Sequence, residues 1–425
     1  MSLKKNYIIL VGILGTVFEW LEYSYYGYLT TKISQLFFPN YDTRTGILAA
    51  MGIFAAGFIM RPVGGVLFGY LGDRKGRKSA LFLSLLLMGF STLLMGALPT
   101  YQTIGIYAPL LLLFCRLLQG LAVSGEFNGA AIFLIEHNKN KYPTLAGSWV
   151  GTASALGMLL GILAATIVSY PGMPSWSWRV PFIFACVSCF IANYLRYKLL
   201  ETPLFLEANN QQQISCFPLK KVLTQFKKPF LCNMILAAFV SVYIYVCNMY
   251  FVSYLIKDLH FAPSQSTLLA SIGEFLVVLC LPCAAILADR FGYKKIFLIG
   301  LYTAPIATAL LFITAKNGSI PNIVIAEIIF GISNAFACAP MFNFIYKLFP
   351  THIRYTGNST AWSCGVAIFG GTAPIVADFL MHQFSFYGPT LFVSLFALLT
   401  IFIVTRKETS AEILQSENIG VQLIG

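Results

Sequence analysis

Glu19 and Glu22 interrupt a long apolar run near the start of the chain. A carboxylate in such a run either exchanges a proton, holds a cation or neutralises a base. Three residues apart on a helix, the two share one face, which Tyr23 and Tyr26 extend. A charge at mid-bilayer costs roughly 2.5–3.5 kcal/mol even on insertion scales, so each needs a partner and a reason. Arg61, Arg116 and Glu126 complete the intramembrane set of the first half. A rise of about 1.5 Å per residue puts Glu19, Arg61 and Glu126 roughly 15–18 Å from the side on which the chain begins, and Glu22 and Arg116 roughly 23–27 Å. Two acid–base levels are expected: Glu19 and Glu126 around Arg61, and Glu22 near Arg116. The plainer alternative is ion pairs that only fix helix packing. It weighs most for Arg61, where Pro62 also frees a backbone carbonyl.

The second half has acids alone inside its apolar runs: Glu274, Glu327 and Asp378. Glu327 and Asp378 fall near run ends and are expected to be solvated. Glu274 lies nearer mid-depth with no evident cation, so it is expected to be protonated or bonded to a neighbouring hydroxyl. Tyr243, Tyr245, Asn248, Tyr250 and Tyr254 form a phenol-rich run that membrane anchoring explains for Tyr254 but not for Tyr243. With acids in excess, a central cavity suits a zwitterion or cation. Arg116 would take a carboxylate, and acids or phenol faces an ammonium. Substrate-facing candidates are Tyr23, Tyr26, Arg61, Arg116, Tyr243 and Asn248.

Positioning these groups requires membrane-spanning helices. Hydrophobic residues make up 58% of the 425 and charged residues 10%, with a mean hydropathy of +0.76. Soluble domains carry about 25% charged residues. Twelve runs are long enough to span, near 7–29, 47–70, 79–99, 106–134, 145–169, 180–199, 230–254, 266–288, 296–315, 320–346, 357–380 and 388–405. The net charge of +12 does not imply nucleic acid. With a cytoplasmic N-terminus, Lys32, Arg44, Arg179, Lys257 and Lys316 are external and Arg61 and Arg116 intramembrane, while the other bases are cytoplasmic. That bias places both termini in the cytoplasm and the excess charge against anionic lipid. Cys186/Cys189 and Cys280/Cys283 lack acidic or histidine partners, and all four histidines map to span ends or loops. Buried packing is therefore expected of the cysteines, with no metal, no cofactor and no catalytic constellation. Glu19, Glu22 and the lack of a cleavage site mark the first run as a retained span rather than a secretory leader.

Asp73-Arg74-Lys-Gly76-Arg77 and Asp289-Arg290-Phe-Gly292-Tyr repeat one charged turn 216 residues apart. A turn repeated at half the chain length implies two related bundles, as in secondary transporters. The expected organisation is an all-α membrane protein: six helices in 1–199, a cytoplasmic linker at 200–229, six helices in 230–405 and a short cytoplasmic tail at 406–425.

The turn resembles the signature loop of the major facilitator superfamily. Gly15-Thr-Val-Phe-Glu19-Trp20-Leu-Glu22-Tyr23, Arg61-Pro62-Val-Gly-Gly65, Arg116-Leu-Leu-Gln-Gly120 through Gly125-Glu126, Trp178-Arg179-Val-Pro181-Phe182 and Glu201-Thr-Pro203 resemble its metabolite:proton symporter family, which includes proline/betaine, 2-oxoglutarate, shikimate and citrate carriers. The match is dense over about 7–205 and looser beyond, through Asp289-Arg290 and Phe349-Pro350-Thr-His-Ile-Arg354. Thr16, Ser124 and Pro143-Thr144 depart from the family pattern, and the long C-terminal coiled coil of osmosensing relatives is missing. The resemblance implies proton-coupled uptake across a bacterial inner membrane by alternating access, with Glu19, Glu22 and Glu126 as proton-coupling acids. It implies cytoplasmic gating by Asp73, Arg74 and Arg77 and their repeats Asp289 and Arg290. The expected protein is a monomeric symporter of a small zwitterion such as an amino acid or betaine. Rival readings are a dicarboxylate symporter using Arg61 with Arg116, a drug or siderophore exporter, and a membrane sensor.

Overall fold

The computed structural model describes residues 2–138, 142–168, 170, 172–210 and 218–406. Part of the polar run at 209–213 and the tail after Arg406 lie outside the described residues. Among the described residues, twelve helices are long and apolar enough to cross a membrane: Tyr7–Tyr28, Thr45–Arg74, Arg77–Ala97, Tyr107–His137, Pro143–Val168, Ser177–Tyr197, Lys227–Lys257, Pro263–Phe291, Tyr293–Lys316, Ile320–Lys347, Thr351–Phe384 and Tyr387–Thr405. They form two six-helix bundles, and each matches an apolar run read in the sequence. Backbone groups in lipid must be satisfied internally, which leaves the helix as the form these runs can take. The short helices Pro203–Asn210 and Pro218–Gln225 lie between the bundles in the chain.

Several spans depart from a regular α-helix. The second breaks at Met60, between helices Thr43–Ile59 and Arg61–Arg74, because Pro62 lacks an N–H. The seventh and eleventh contain π-helical stretches, Tyr245–Tyr250 and Val366–Gly370. Such bulges turn side chains out of the regular helical register and recur at functional sites.

The bundles meet along two seams related by the internal repeat. The second span packs against the eleventh, and the fifth against the eighth. Gly65 and Gly69 allow the first of these. A Cβ on Gly65 would lie 2.7 Å from the Ser359 carbonyl oxygen, and one on Gly69 2.6 Å from the Thr356 Cα. Here backbone faces backbone, the close approach that small residues permit between membrane helices.

Gly69→Val is therefore expected to destabilise the protein by about 1–3 kcal/mol through overpacking. Gly52→Val, where nothing lies within 4 Å, should leave it nearly unchanged. Thermal unfolding of both variants in detergent checks this, and equal midpoints would contradict the packing.

Candidate functional site

The two Asp-Arg turns lie at one end of the seams, and each caps a helix of the opposite bundle. Asp73 accepts hydrogen bonds from the backbone N–H groups of Tyr355 (3.1 Å) and Thr356 (2.8 Å) at the start of the eleventh span. Asp289 accepts from Thr144 (3.0 Å) and Leu145 (2.9 Å) at the start of the fifth. The first N–H groups of a helix have no intrahelical acceptor, and the helix dipole favours negative charge there. Bonds to a charged group are worth about 1.5–3 kcal/mol each. Arg77 reinforces the first cap: it lies 3.1 Å from Asp73 and 3.4 Å from Glu136, and donates to the Thr351 carbonyl at 2.6 Å. Glu136 also accepts from Arg354 (3.2 Å) and the Thr202 hydroxyl (2.6 Å). Glu201 accepts from the N–H groups of Arg77 and Lys78 (both 3.1 Å), capping the third span. Burial pushes the Glu201 carboxyl above its ordinary range, against the pull of the N–H groups donating to it.

Arg77 thus sits inside the latch, whereas Arg74 and Arg290 are exposed. Arg74 donates to the Tyr70 hydroxyl one turn away. A capping carboxylate needs no second base, and these two arginines point away from the seams.

The buried charges of the first bundle are arranged differently from the two expected levels. Glu22 and Arg116 do pair, at 3.3 Å, with Arg116 also bonded to Gln119 (2.8 Å) and stacked 3.6 Å from the Tyr26 ring centroid. Glu126 does not pair with Arg61. It is held by both terminal nitrogens of Arg196, at 2.5 and 2.6 Å. Arg196 also donates to the Gly12 carbonyl at 2.8 Å. In the sequence Arg196 reads as a loop base, because it stands close to the end of its span, where basic side chains usually reach for the interface. Instead it points inward. Both Glu19 carboxylate oxygens are buried without a hydrogen-bond partner among the described residues. Arg61 forms no ion pair among the described residues. Its guanidinium lies over the rings of Phe58 (4.4 Å) and Tyr23 (5.2 Å).

A cavity lies between the bundles. Trp20, Arg61 and Phe127 line it from the first bundle, and Tyr245, Glu274 and Trp362 from the second. A smaller cavity inside the first bundle is lined by Glu22, Tyr23, Arg61 and Arg116. Tyr23 and Tyr245 meet across the bundles, their hydroxyls 3.3 Å apart.

The first-span stripe is therefore split. Glu22 and Tyr23 face the smaller cavity, whereas Glu19, Tyr26 and Glu126 line neither. Tyr26 donates to the Ala50 carbonyl. Arg61, not Arg116, stands in the wall of the large cavity, because Arg116 is engaged by Glu22. Tyr243 is packed within the second bundle, stacked on Phe239 and bonded to Ser333 at 3.0 Å. Asn248 lies behind the cavity wall and donates to Glu274 at 2.7 Å, so Glu274 bonds an amide and not a hydroxyl. Glu327 was expected to be solvated but is fully buried, with both oxygens unpartnered; the tenth span carries it into the bundle against Gly273. Asp378 is partly exposed, 3.9 Å from His382. The described cysteines are free, and no cluster of metal-ligating side chains occurs among the described residues.

A family model described as "Sugar (and other) transporter" matches residues 8–215, and one described as "Major Facilitator Superfamily" matches 234–422. The chain is 32% identical over 423 residues to the glycine betaine/proline/ectoine/pipecolic acid transporter OusA of Dickeya dadantii strain 3937, covering 95% of this chain and 83% of that protein. It is 31% identical over 423 residues to the proline/betaine transporter of Escherichia coli K12, covering 96% and 84%. The proton:xylose symporter XylE, solved bound to 6-bromo-6-deoxy-D-glucose, superposes with a TM-score of 0.80 at 18% identity, covering 94% of this chain and 95% of that one. The fold is the same.

Breaking a buried ion pair from one side costs about 3–5 kcal/mol, whereas an acid with no partner has little to lose. Glu126→Gln should therefore lower the thermal midpoint markedly, and Glu19→Gln should barely move it. Equal shifts in an unfolding assay would contradict the assignment of Arg196 to Glu126.

Proposed function

We propose that this chain, which belongs to the major facilitator superfamily and within it to the metabolite:proton symporter family, imports a small zwitterion with a proton by alternating access. The observation that carries this is Arg61: a guanidinium without an ionic partner in the wall of a cavity shared by both bundles. An unpaired buried base needs an anion, and a substrate carboxylate supplies one. Relatives that carry proline and betaines by name support the class, since those compounds join a carboxylate to a cationic nitrogen.

Coupling follows from competition for Arg61. Glu19 is faced by Glu126, Arg61 and Arg196. Arg196 is engaged with Glu126, which leaves Arg61 as the base within reach of Glu19. An ionised Glu19 would hold Arg61 to itself and close it to substrate. A protonated Glu19 frees Arg61 for the substrate carboxylate, so proton and substrate bind together. Release reverses the order: once the latched end opens, the substrate leaves, Arg61 returns to Glu19 and the proton departs. Glu22 and Glu126, already paired to arginines, act as fixed counter-charges that move with the bundle.

The moving bodies are residues 1–199 and 230–405, joined by 200–229 and acting as a monomer, because one chain encloses a whole cavity. The excess of Lys and Arg in the loops at the latched end supports a reading with that end and both termini in the cytoplasm of a bacterial inner membrane.

Glu19→Gln mimics the protonated acid permanently. In proteoliposomes it should abolish accumulation of glycine betaine or proline driven by an inward proton gradient, while retaining exchange between preloaded and external substrate. Full gradient-driven accumulation by this variant would remove Glu19 from the coupling role.

A further inference from the structure

Resting on the zwitterion reading above, we propose that Glu274 is the cation-holding pole of the substrate site and the residue that makes the carrier select a charged nitrogen. Glu274 is 2% exposed, lies on the eighth span and lines the large cavity opposite the bundle that carries Arg61. It forms no ion pair with any base among the described residues. Its one carboxylate oxygen accepts from the Asn248 amide at 2.7 Å, leaving the other for a ligand. Asn248 belongs to the π-helical stretch Tyr245–Tyr250. The same stretch presents Tyr245 to the cavity and Asn248 to Glu274.

A buried carboxylate bonded to one neutral amide remains uncompensated, because an amide carries no charge. The counter-charge has to come from whatever fills the cavity. Trp362 and Tyr245 supply aromatic faces in the same wall and Trp20 one in the opposite wall, and Val277 and Leu281 follow Glu274 along its helix. The lining has one carboxylate, with Asn128, Asn334 and Ser363 as neutral polar groups, and its ring faces suit a nitrogen clothed in carbon. The ligand class is therefore a short zwitterion: a carboxylate for Arg61 and a quaternary or ring-secondary ammonium for Glu274.

The two roles open to a buried acid, cation pole and proton carrier, separate with one pair of ligands. Glycine betaine and 3,3-dimethylbutanoate have the same shape and the same carboxylate, and differ in nitrogen against carbon. Wild-type protein in detergent should bind betaine about tenfold or more tightly than the carbon isostere by calorimetry. In Glu274→Gln that preference should vanish through loss of betaine affinity alone. Retained binding of the isostere shows that the variant is folded, and Glu274→Asp should restore part of the preference. An unchanged preference in Glu274→Gln overturns the assignment. So does unchanged betaine binding combined with loss of gradient-driven accumulation, which would make Glu274 a proton carrier. Wild-type protein that binds neither compound would fail the zwitterion reading itself, and this pole with it.

Discussion

Each bundle begins one of its helices on a carboxylate that belongs to the other. Unpaired N–H groups at the start of the fifth and eleventh spans cannot be left dry, and Asp289 and Asp73 satisfy them across the seams. Because the donors are fixed backbone and the acceptors short side chains, the caps form at a single spacing of the bundles and are lost together on separation. Four charge-assisted bonds of about 1.5–3 kcal/mol each are enough to hold one end closed, yet little enough for water to replace once the seam admits it. The bare faces of Gly65 and Gly69 let the helices come that close.

This closure gives the buried charges their meaning. The Glu22–Arg116 and Glu126–Arg196 pairs are each internal to the first bundle, so rigid-body motion carries them without breaking them. Arg61 and Glu274 are not paired in this way and stand on opposite walls of the shared cavity. Neutralised pairs inside a body and unpaired charges between bodies are the division of labour a carrier needs. The former hold the shape, and the latter change partners as the halves move.

The twelve spans were legible because a bilayer imposes length and composition on every helix, and the repeated turn disclosed the two halves. The Glu22–Arg116 level was legible from helical rise alone. The partner of Glu126 was not, because helical rise puts Arg196 only about 5 Å from its span end, and its long side chain reaches inward to Glu126. Arg196 was hidden by its place near a span end, as was Glu136, where a charge ordinarily looks outward. Glu327 was misread in the same way, since a position near a span end does not reveal a side chain turned into the bundle. Tyr243 read as a cavity phenol because phenol-rich runs look alike whether their hydroxyls meet a cavity or, as here, Ser333.

The reciprocal caps are tested most directly by distance. Spin labels at Lys75 and Arg290, both exposed and one on each bundle at the latched end, would be placed in a background free of native cysteines. With Asp73 and Asp289 intact, pulsed dipolar spectroscopy should give a dominant short separation. Replacing both aspartates by alanine should transfer much of that population to a longer one. An unchanged distance distribution in the double variant would contradict the account.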